Sequence, residues 1–167
     1  DFWEFEENRR FVEVISEGID AFEQVFGYKP VHFNPPGGRE HHAIHAYLRD
    51  AGIRYIDTPL IKYEHQGRGC LKKSINWTGK RNVLGMVYGV RNVVFEPTDD
   101  RGCDWVEFSL KQIASAFRWR KPAIISSHRV NYCGHISPEN RRRGIAALKR
   151  LLHEIVFRWP DVEFMGS

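Results

Sequence analysis

The chain has 167 residues, of which 42% are hydrophobic and 28% are charged, and its formal net charge is +4. This length and composition predict a single globular domain over residues 1–167. A chain of this length can bury a hydrophobic core that is stable without disulfides or structural metal ions. No run of about 18 apolar residues is present, which excludes a transmembrane helix, and the acidic, aromatic N-terminus shows no signal peptide. We therefore predict no membrane partner, and the sequence is compatible with a bacterial cytoplasmic or an exported protein.

The excess positive charge comes largely from local clusters such as the arginines at 141–143. We interpret these arginines as the solvated face of a helix, because the other face of that helix is apolar. A nucleic-acid-binding domain is a competing hypothesis that depends on charge alone, so we predict no nucleic-acid partner. The three cysteines are odd in number and show no CxxC spacing, which supports neither a disulfide framework nor a structural zinc site.

Hydrophobic periodicity and turn residues predict an alternation of helices and strands. In chain order these are helix 3–26, strand 31–33, helix 39–50, strand 53–56, one or two strands within 83–95, a helix from 105, strand 123–126, a helix from 138 and strand 161–165. Residues 57–82 are predicted to be a long surface excursion, of a length that is uncommon and often functional. The alternation favours a parallel sheet with right-handed crossovers, either doubly wound or an incomplete barrel.

Local signals place the ends of several helices. Gly27 is predicted to end the first helix as its C′ residue, and Asp104 to cap the helix that starts at 105. Ser137 and Pro138 have the N-cap and first-turn positions of the last helix, and Pro160 is placed to end it.

Three loops that follow predicted strands hold unusual residues: 34–38, 96–105 and 127–134. Because loops after the carboxyl ends of parallel strands carry the chemistry of such folds, we expect these loops to share one site. His128 is the candidate general acid or base, since an imidazole titrates near neutrality, and Asp104 is a carboxylate that could orient it. The alternative is a structural histidine that packs in the loop or caps the next helix.

His41 and His45 lie four residues apart on the predicted helix 39–50, which is a metal-ligand spacing. The order of residues is not the His-Glu-x-x-His of zinc proteases, and helical histidines are more often solvated or packed. We therefore assign no metal ligand within this chain.

Four segments carry a resemblance to a known family. They are Asn34-Pro35-Pro36-Gly37-Gly38 after a strand, Gly52-Ile53-Arg54-Tyr55, Asp104-Trp105 before a helix, and Ile125-Ser126-Ser127-His128 at the end of a strand. In this order, over most of residues 20–165, the chain resembles the C-terminal portion of the polysaccharide deacetylase superfamily. The members of that family are metal-dependent hydrolases on a distorted (β/α) barrel.

The resemblance implies an α/β fold, an incomplete or distorted (β/α) barrel of parallel strands that lacks its N-terminal strands. It implies that His128 is the catalytic acid, that Asp104 tunes it and that Trp105 helps to wall the acyl pocket. It also implies a carbohydrate substrate and a divalent metal, with zinc favoured, whose ligands are expected upstream of Asp1. The predicted substrate-binding residues are Asn34, Pro35, Pro36, Gly37, Trp105, Arg129 and Asn131.

The sequence also departs from the family pattern. Asn34 stands where an arginine is usual and Gly37 where a tyrosine is common. The family's first two motifs, an Asp-Asp pair and a His-x-x-x-His pair on earlier strands, do not occur ahead of Asn34 in residues 1–33 and are expected upstream of Asp1. Two hypotheses follow. One is a hydrolase that removes acyl groups from a carbohydrate, acting as part of a longer chain and inactive as this fragment alone. The other is a non-catalytic carbohydrate-binding or scaffold version of the same fold.

Overall fold

The computed structural model describes residues 10–38 and 40–165 of the chain. These residues form a mixed α/β structure in which several strand pairs are parallel, which confirms the coarse fold prediction. The chain divides into two compact units, Asp1–Val90 and Arg91–Ser167. No helix in the described ranges is long and apolar enough to cross a membrane.

The described residues of the first unit form two α-helices and five strands. They are α1 (Arg10–Phe26), β1 (His32–Phe33), α2 (His45–Asp50), β2 (Tyr55–Asp57), β3 (Ile61–His65), β4 (Leu71–Ile75) and β5 (Val87–Gly89), with 3₁₀ turns at Pro36–Gly38 and His42–Ile44. Strands β1, β2 and β5 form a parallel sheet in that order, and β3 and β4 form an antiparallel hairpin. The core comprises Ile44, Leu48, Ile53, Ile56, Met86 and Tyr88.

The end of α1 follows the sequence prediction. Gly27 has a φ of 76°, and its N–H donates to the carbonyl of Glu23 at 2.8 Å. Helices commonly end at a glycine in the left-handed conformation whose N–H binds a carbonyl of the last turn. The predicted start of this helix at residue 3 lies outside the described residues.

The second predicted helix begins later than the sequence pattern indicates. His41 is extended, with φ −105° and ψ 141°, and it precedes a 3₁₀ turn rather than lying within an α-helix. Among the described residues 40–50 of that prediction, the α-helix is His45–Asp50. His41 and His45 therefore do not share one helical face, and the predicted spacing argument for them is wrong.

The predicted excursion at 57–82 is largely a β-hairpin. Five cross-strand pairs run from Ile61 opposite Ile75 to His65 opposite Leu71. On β3 the buried positions are Lys62 and Glu64, while Tyr63 between them is exposed. Exposed and buried residues alternate along β3, as they do in a strand with one buried face. Because the buried residues are charged, the hydrophobic pattern of the sequence does not indicate this strand.

The second unit contains β6 (Val93–Val94), α3 (Trp105–Arg118), β7 (Ile125–Ser126), a 3₁₀ turn at Arg129–Asn131 and α4 (Pro138–Arg158). Strands β6 and β7 are parallel, with Val93 opposite Ile125 and Val94 opposite Ser126. Their core with α3 and α4 comprises Val93, Phe95, Trp105, Val106, Leu110, Ile113, Leu151 and Ile155. Residues 161–165 form no strand, contrary to the prediction.

The strands are arranged differently from the one parallel sheet that the alternation of elements favours. Those that the structure describes are distributed over sheets of three, two and two strands. Asp104 caps α3 as predicted, because its side chain accepts hydrogen bonds from the N–H groups of Val106 and Glu107. Ser137 is at the N-cap of α4 and Pro138 at its start, but the Ser137 hydroxyl makes no capping hydrogen bond.

Gly144 brings α4 against the turn that contains Asn131. A Cβ atom built on Gly144 would overlap the backbone carbonyl of Asn131, whereas a Cβ atom on Gly18 of α1 would meet nothing within 4 Å. A side chain therefore fits at position 18 but not at position 144. Only Gly144 is needed for a close approach of backbones.

We predict that Gly144→Ala destabilises the protein by about 1–3 kcal/mol, because the added methyl group must displace the turn or the helix. The matched control Gly18→Ala should stabilise it by up to about 1 kcal/mol through helix propensity. Chemical denaturation followed by circular dichroism measures both changes. Equal effects of the two substitutions would contradict the close contact at Gly144.

Candidate functional site

His128 and Glu96 lie just beyond the carboxyl ends of the paired strands β7 and β6. Because these strands are parallel and adjacent, the loops that follow them begin at the same edge of the sheet. The Nδ1 atom of His128 lies 2.7 Å from Oε1 of Glu96. The fold therefore holds an imidazole against a carboxylate at the position where α/β folds place their chemistry.

The two side chains differ in exposure. The His128 side chain is 78% exposed and the Glu96 side chain is 13% exposed. A ring held through Nδ1 keeps Nε2 for a second partner, such as solvent or a substrate atom. This is the arrangement of an oriented general acid or base.

Asn131 fixes Glu96 from the protein side. Asn131 is 1% exposed, and its Nδ2 donates to Oε2 of Glu96 at 2.7 Å and to the carbonyl of His128 at 2.8 Å. Its Oδ1 accepts from the N–H and the hydroxyl of Thr98. The amide of Asn131 thus connects the loop after β6 to the loop after β7.

These contacts keep Glu96 ionised. Burial raises the pKa of Glu96, but the hydrogen bonds from Asn131 and His128 outweigh burial and lower the pKa below its ordinary value. An ionised Glu96 acts only as an acceptor, so Nδ1 of His128 carries the proton between them.

Glu96 takes the place that the sequence argument gave to Asp104. The Asp104 carboxylate caps α3 and pairs with Arg150 at 2.9 Å, and the hydrogen-bonded carboxylate at His128 is that of Glu96. The sequence contained a signal for Glu96, because it directly follows the apolar residues of β6. The sequence pattern that marks Asp104 as a helix N-cap is stronger than the pattern at Glu96, and Asp104 does cap α3.

The other predicted site residues fall in both units. Trp105 is 7% exposed and its indole N–H donates to the carbonyl of Asp99, while Arg129 is exposed and begins the turn after His128. In the first unit, Pro35 is buried and Asn34, Pro36 and Gly37 are exposed. That these residues contact one substrate stays a prediction.

A second cluster of chemistry-bearing side chains lies in the first unit. Oε1 of Glu64 on β3 lies 2.5 Å from Nδ1 of His42 and 3.9 Å from Nε2 of His41. Oε2 of Glu64 accepts from the backbone N–H of His42 at 3.0 Å and lies 2.9 Å from Nζ of Lys62. His41 and Glu64 are buried, and His42 is exposed.

Lys62 joins two buried carboxylates. Its Nζ lies 2.6 Å from Oε1 of Glu40, and the same oxygen lies 3.2 Å from Nε2 of His45. Oε2 of Glu40 is buried and has no hydrogen-bond partner among the residues that the structure describes. Buried charges are costly unless they are paired, so Lys62 stabilises both carboxylates.

The ligand atoms of His41, His42 and Glu64 lie within 4.8 Å of one another, and this group could hold a metal ion. Two imidazoles and a carboxylate are ligands that zinc uses in proteins. His45, which lies at metal-ligand spacing from His41 in the sequence, is paired with Glu40. Burial lowers the pKa of His41, against the opposing charge of Glu64.

No protein-family model, curated protein or solved structure matches this chain.

We predict that Asn131→Ala destabilises the protein by about 1–3 kcal/mol, because it leaves buried partners of the amide without a hydrogen bond. It should also raise the pKa of Glu96, which loses a donor to its ionised form. Chemical denaturation and an NMR titration of the Glu96 carboxyl measure these effects.

Exposed Asn34 provides the control, since Asn34→Ala should change the free energy of unfolding by less than about 0.5 kcal/mol. Similar losses of stability in both variants would contradict the role of Asn131.

Glu64 should make the stability of the protein sensitive to acid. Burial raises its pKa, but the hydrogen bond and charge of Lys62 and the hydrogen bond from His42 lower it from 4.5 to about 2. Because the folded pKa is below the unfolded one, this contribution is present above pH 4.5 and is lost as the pH falls toward 2. Denaturation midpoints measured over this range should fall less steeply for Glu64→Gln than for the wild type, and parallel profiles would contradict the ion pair.

Proposed function

We propose that this chain is the C-terminal part of a polysaccharide deacetylase-like hydrolase that removes acyl groups from a carbohydrate, with His128 as the general acid. The observation that carries the proposal is the pair formed by the exposed ring of His128 and the carboxylate of Glu96. The ordered motifs from Asn34 to His128 supply the substrate class, by resemblance to that family.

The proposal includes the finer fold prediction, an incomplete or distorted (β/α) barrel. The parallel pairing of β1 with β2, of β2 with β5 and of β6 with β7 supports it, since parallel strands in chain order are the repeating element of such barrels. The position of His128 and Glu96 after strand carboxyl ends is also where barrel enzymes place their catalytic residues.

Hydrolytic removal of an acyl group joins the acyl carbon to the oxygen of a water molecule and breaks its bond to a sugar nitrogen or oxygen. The departing atom must gain a proton, or it leaves as an unstable anion. In the protonated ring of His128, Nδ1–H donates to Glu96 and Nε2–H is transferred to the departing atom. Nδ1–H stays on the ring throughout, so Glu96 stabilises the charged ring without itself becoming protonated.

The remaining predicted residues have different relations to this step. Asn131 acts through Glu96, because its amide is buried and fully used. Arg129 follows His128 and is exposed, so the proposal keeps it as a substrate contact. Asn34, Pro35, Pro36, Gly37 and Trp105 are proposed to shape the carbohydrate site by resemblance alone.

The resembled family uses a divalent metal, which we propose to be zinc and which supplies a Lewis acid to the acyl carbonyl when bound. In the described part of the second unit, no three His, Cys, Asp or Glu side chains are grouped closely enough to hold an ion. The residues around His128 therefore do not fit a metal site. The proposal assigns the ligands of that metal to sequence that precedes Asp1.

Activity of a protein that includes the preceding sequence tests the proposal. Zinc-supplemented protein should release acetate from N-acetylated or O-acetylated oligosaccharides. His128→Ala should lower kcat by about 100- to 10,000-fold, because a positioned general acid contributes this much. Glu96→Gln should lower kcat less than His128→Ala and change its pH profile, since it removes the acceptor that orients the ring.

His153→Ala is the control, because His153 is an exposed histidine on α4 and should leave turnover unchanged. Undiminished turnover by His128→Ala would overturn the assignment of the acid. Saccharide binding without acetate release by the wild type, with or without added zinc, would instead identify the protein as a non-catalytic carbohydrate-binding member of the fold.

A further inference from the structure

We propose that His41, His42 and Glu64 form a zinc-binding site in the unit Asp1–Val90. This inference goes beyond the proposed function and does not depend on it, because it uses neither His128 nor the motifs of the resemblance. Among residues 10–38 and 40–165, this is the group in which three metal-ligating side chains come together.

The distances fit a zinc ion after small movements. Zinc bonds of about 2.0–2.2 Å in tetrahedral geometry place neighbouring ligand atoms about 3.3 Å apart. Oε1 of Glu64 lies 2.5 Å from Nδ1 of His42 and 3.9 Å from Nε2 of His41, so the two separations lie on either side of that value. Rotations of the exposed His42 ring supply the larger part of the adjustment.

The two oxygens of Glu64 face different partners. Oε1 faces both imidazoles and also accepts from Nε2 of Gln66 at 3.0 Å, while Oε2 accepts from Lys62 and from the backbone N–H of His42. Hydrogen bonds to the second oxygen of a ligating carboxylate fix its orientation and are a regular feature of metal sites. Lys62 is itself held by Glu40, so the carboxylate is positioned before any ion arrives.

The backbone places the two imidazoles side by side. His41 is extended and caps the 3₁₀ turn that begins at His42, and their ring centroids are 4.4 Å apart. Glu64 is 22 residues from His42 along the chain and lies on the inward face of β3. An ion bound here would join the turn to the hairpin and would stabilise the folded unit.

The competing interpretation is an ion pair between Glu64 and a protonated His42, without metal. The ring of His41 already has partners that oppose metal binding: it is hydrogen-bonded to the backbone of His65, and its Nδ1 accepts from the N–H of Ala43 at 3.2 Å. Coordination through Nε2 requires a proton on Nδ1, so this hydrogen bond is exchanged for a zinc–nitrogen bond. Neutral hydrogen bonds are weak compared with a metal–ligand bond, so the exchange favours the metal.

The donor set also selects the ion. Two imidazoles and one carboxylate suit Zn²⁺ and Co²⁺, whereas Mg²⁺ and Ca²⁺ prefer oxygen ligands. Three protein ligands fill three positions of a tetrahedron, and the His42 side chain is 56% exposed. The fourth position is therefore open to water, and the ion has a path from solvent.

Calorimetric titration of the chelator-treated chain with ZnCl₂ tests the site. We expect one equivalent of Zn²⁺ to bind, Co²⁺ to give the intense visible absorption of a tetrahedral complex, and Mg²⁺ to give neither signal. His42→Ala and Glu64→Gln should each weaken zinc binding by about 100-fold or more, since even outer-shell changes cost 10- to 100-fold. His153→Ala should bind zinc as the wild type does.

Thermal denaturation provides the second measurement. Zinc should raise the melting temperature of the wild type and of His153→Ala, but not that of His42→Ala. Because the His42 ring is exposed, this variant should fold even if Glu64→Gln does not. Failure of the folded wild type to bind zinc, or equal zinc affinity of the wild type and His42→Ala, would overturn the site and establish the ion pair.

Discussion

The buried side-chain amide of Asn131 holds together the part of the second unit to which we assign chemistry. Its donors reach Glu96 and the His128 carbonyl, and its acceptor binds Thr98. Without these hydrogen bonds, the largely buried carboxylate of Glu96 would lose its bond from a fixed amide and keep those from His128. With them, a carboxylate of lowered pKa is fixed at 2.7 Å from Nδ1 of an exposed imidazole. The position of Asn131 in turn requires Gly144, where α4 approaches its backbone too closely for a side chain.

The two units use the same pair of groups, imidazole and carboxylate, in different ways. In the second unit one exposed ring meets one carboxylate, which suits transfer of a proton at the free nitrogen. In the first unit two rings meet one oxygen of Glu64, and Lys62 occupies the other oxygen. Several donor atoms converging on one point suit a metal ion rather than proton transfer. The two proposals differ because three potential metal ligands come together in the first unit, whereas one imidazole meets one carboxylate in the second.

The sequence predicted features that depend on local chemistry. Gly27 ends α1 and Asp104 caps α3, because both effects act within one turn of the helix. It did not predict the hairpin, because the inner face of β3 holds charged residues, Lys62 and Glu64, where a hydrophobic pattern is expected. Lys62 pairs there with both Glu64 and Glu40. It also did not predict Glu96 as the partner of His128. That contact spans 32 residues and depends on the pairing of β6 with β7, which no local signal encodes.

The central claim is that Glu96 orients His128 by accepting the proton of Nδ1. Long-range ¹H–¹⁵N NMR spectra of histidine-labelled protein measure which ring nitrogen is protonated. The account predicts that neutral His128 carries its proton on Nδ1 in the wild type, and that Glu96→Gln weakens this preference, because an amide oxygen is a poorer acceptor than a carboxylate. A His128 ring protonated on Nε2 in the wild type, with a spectrum unchanged by Glu96→Gln, would contradict the account.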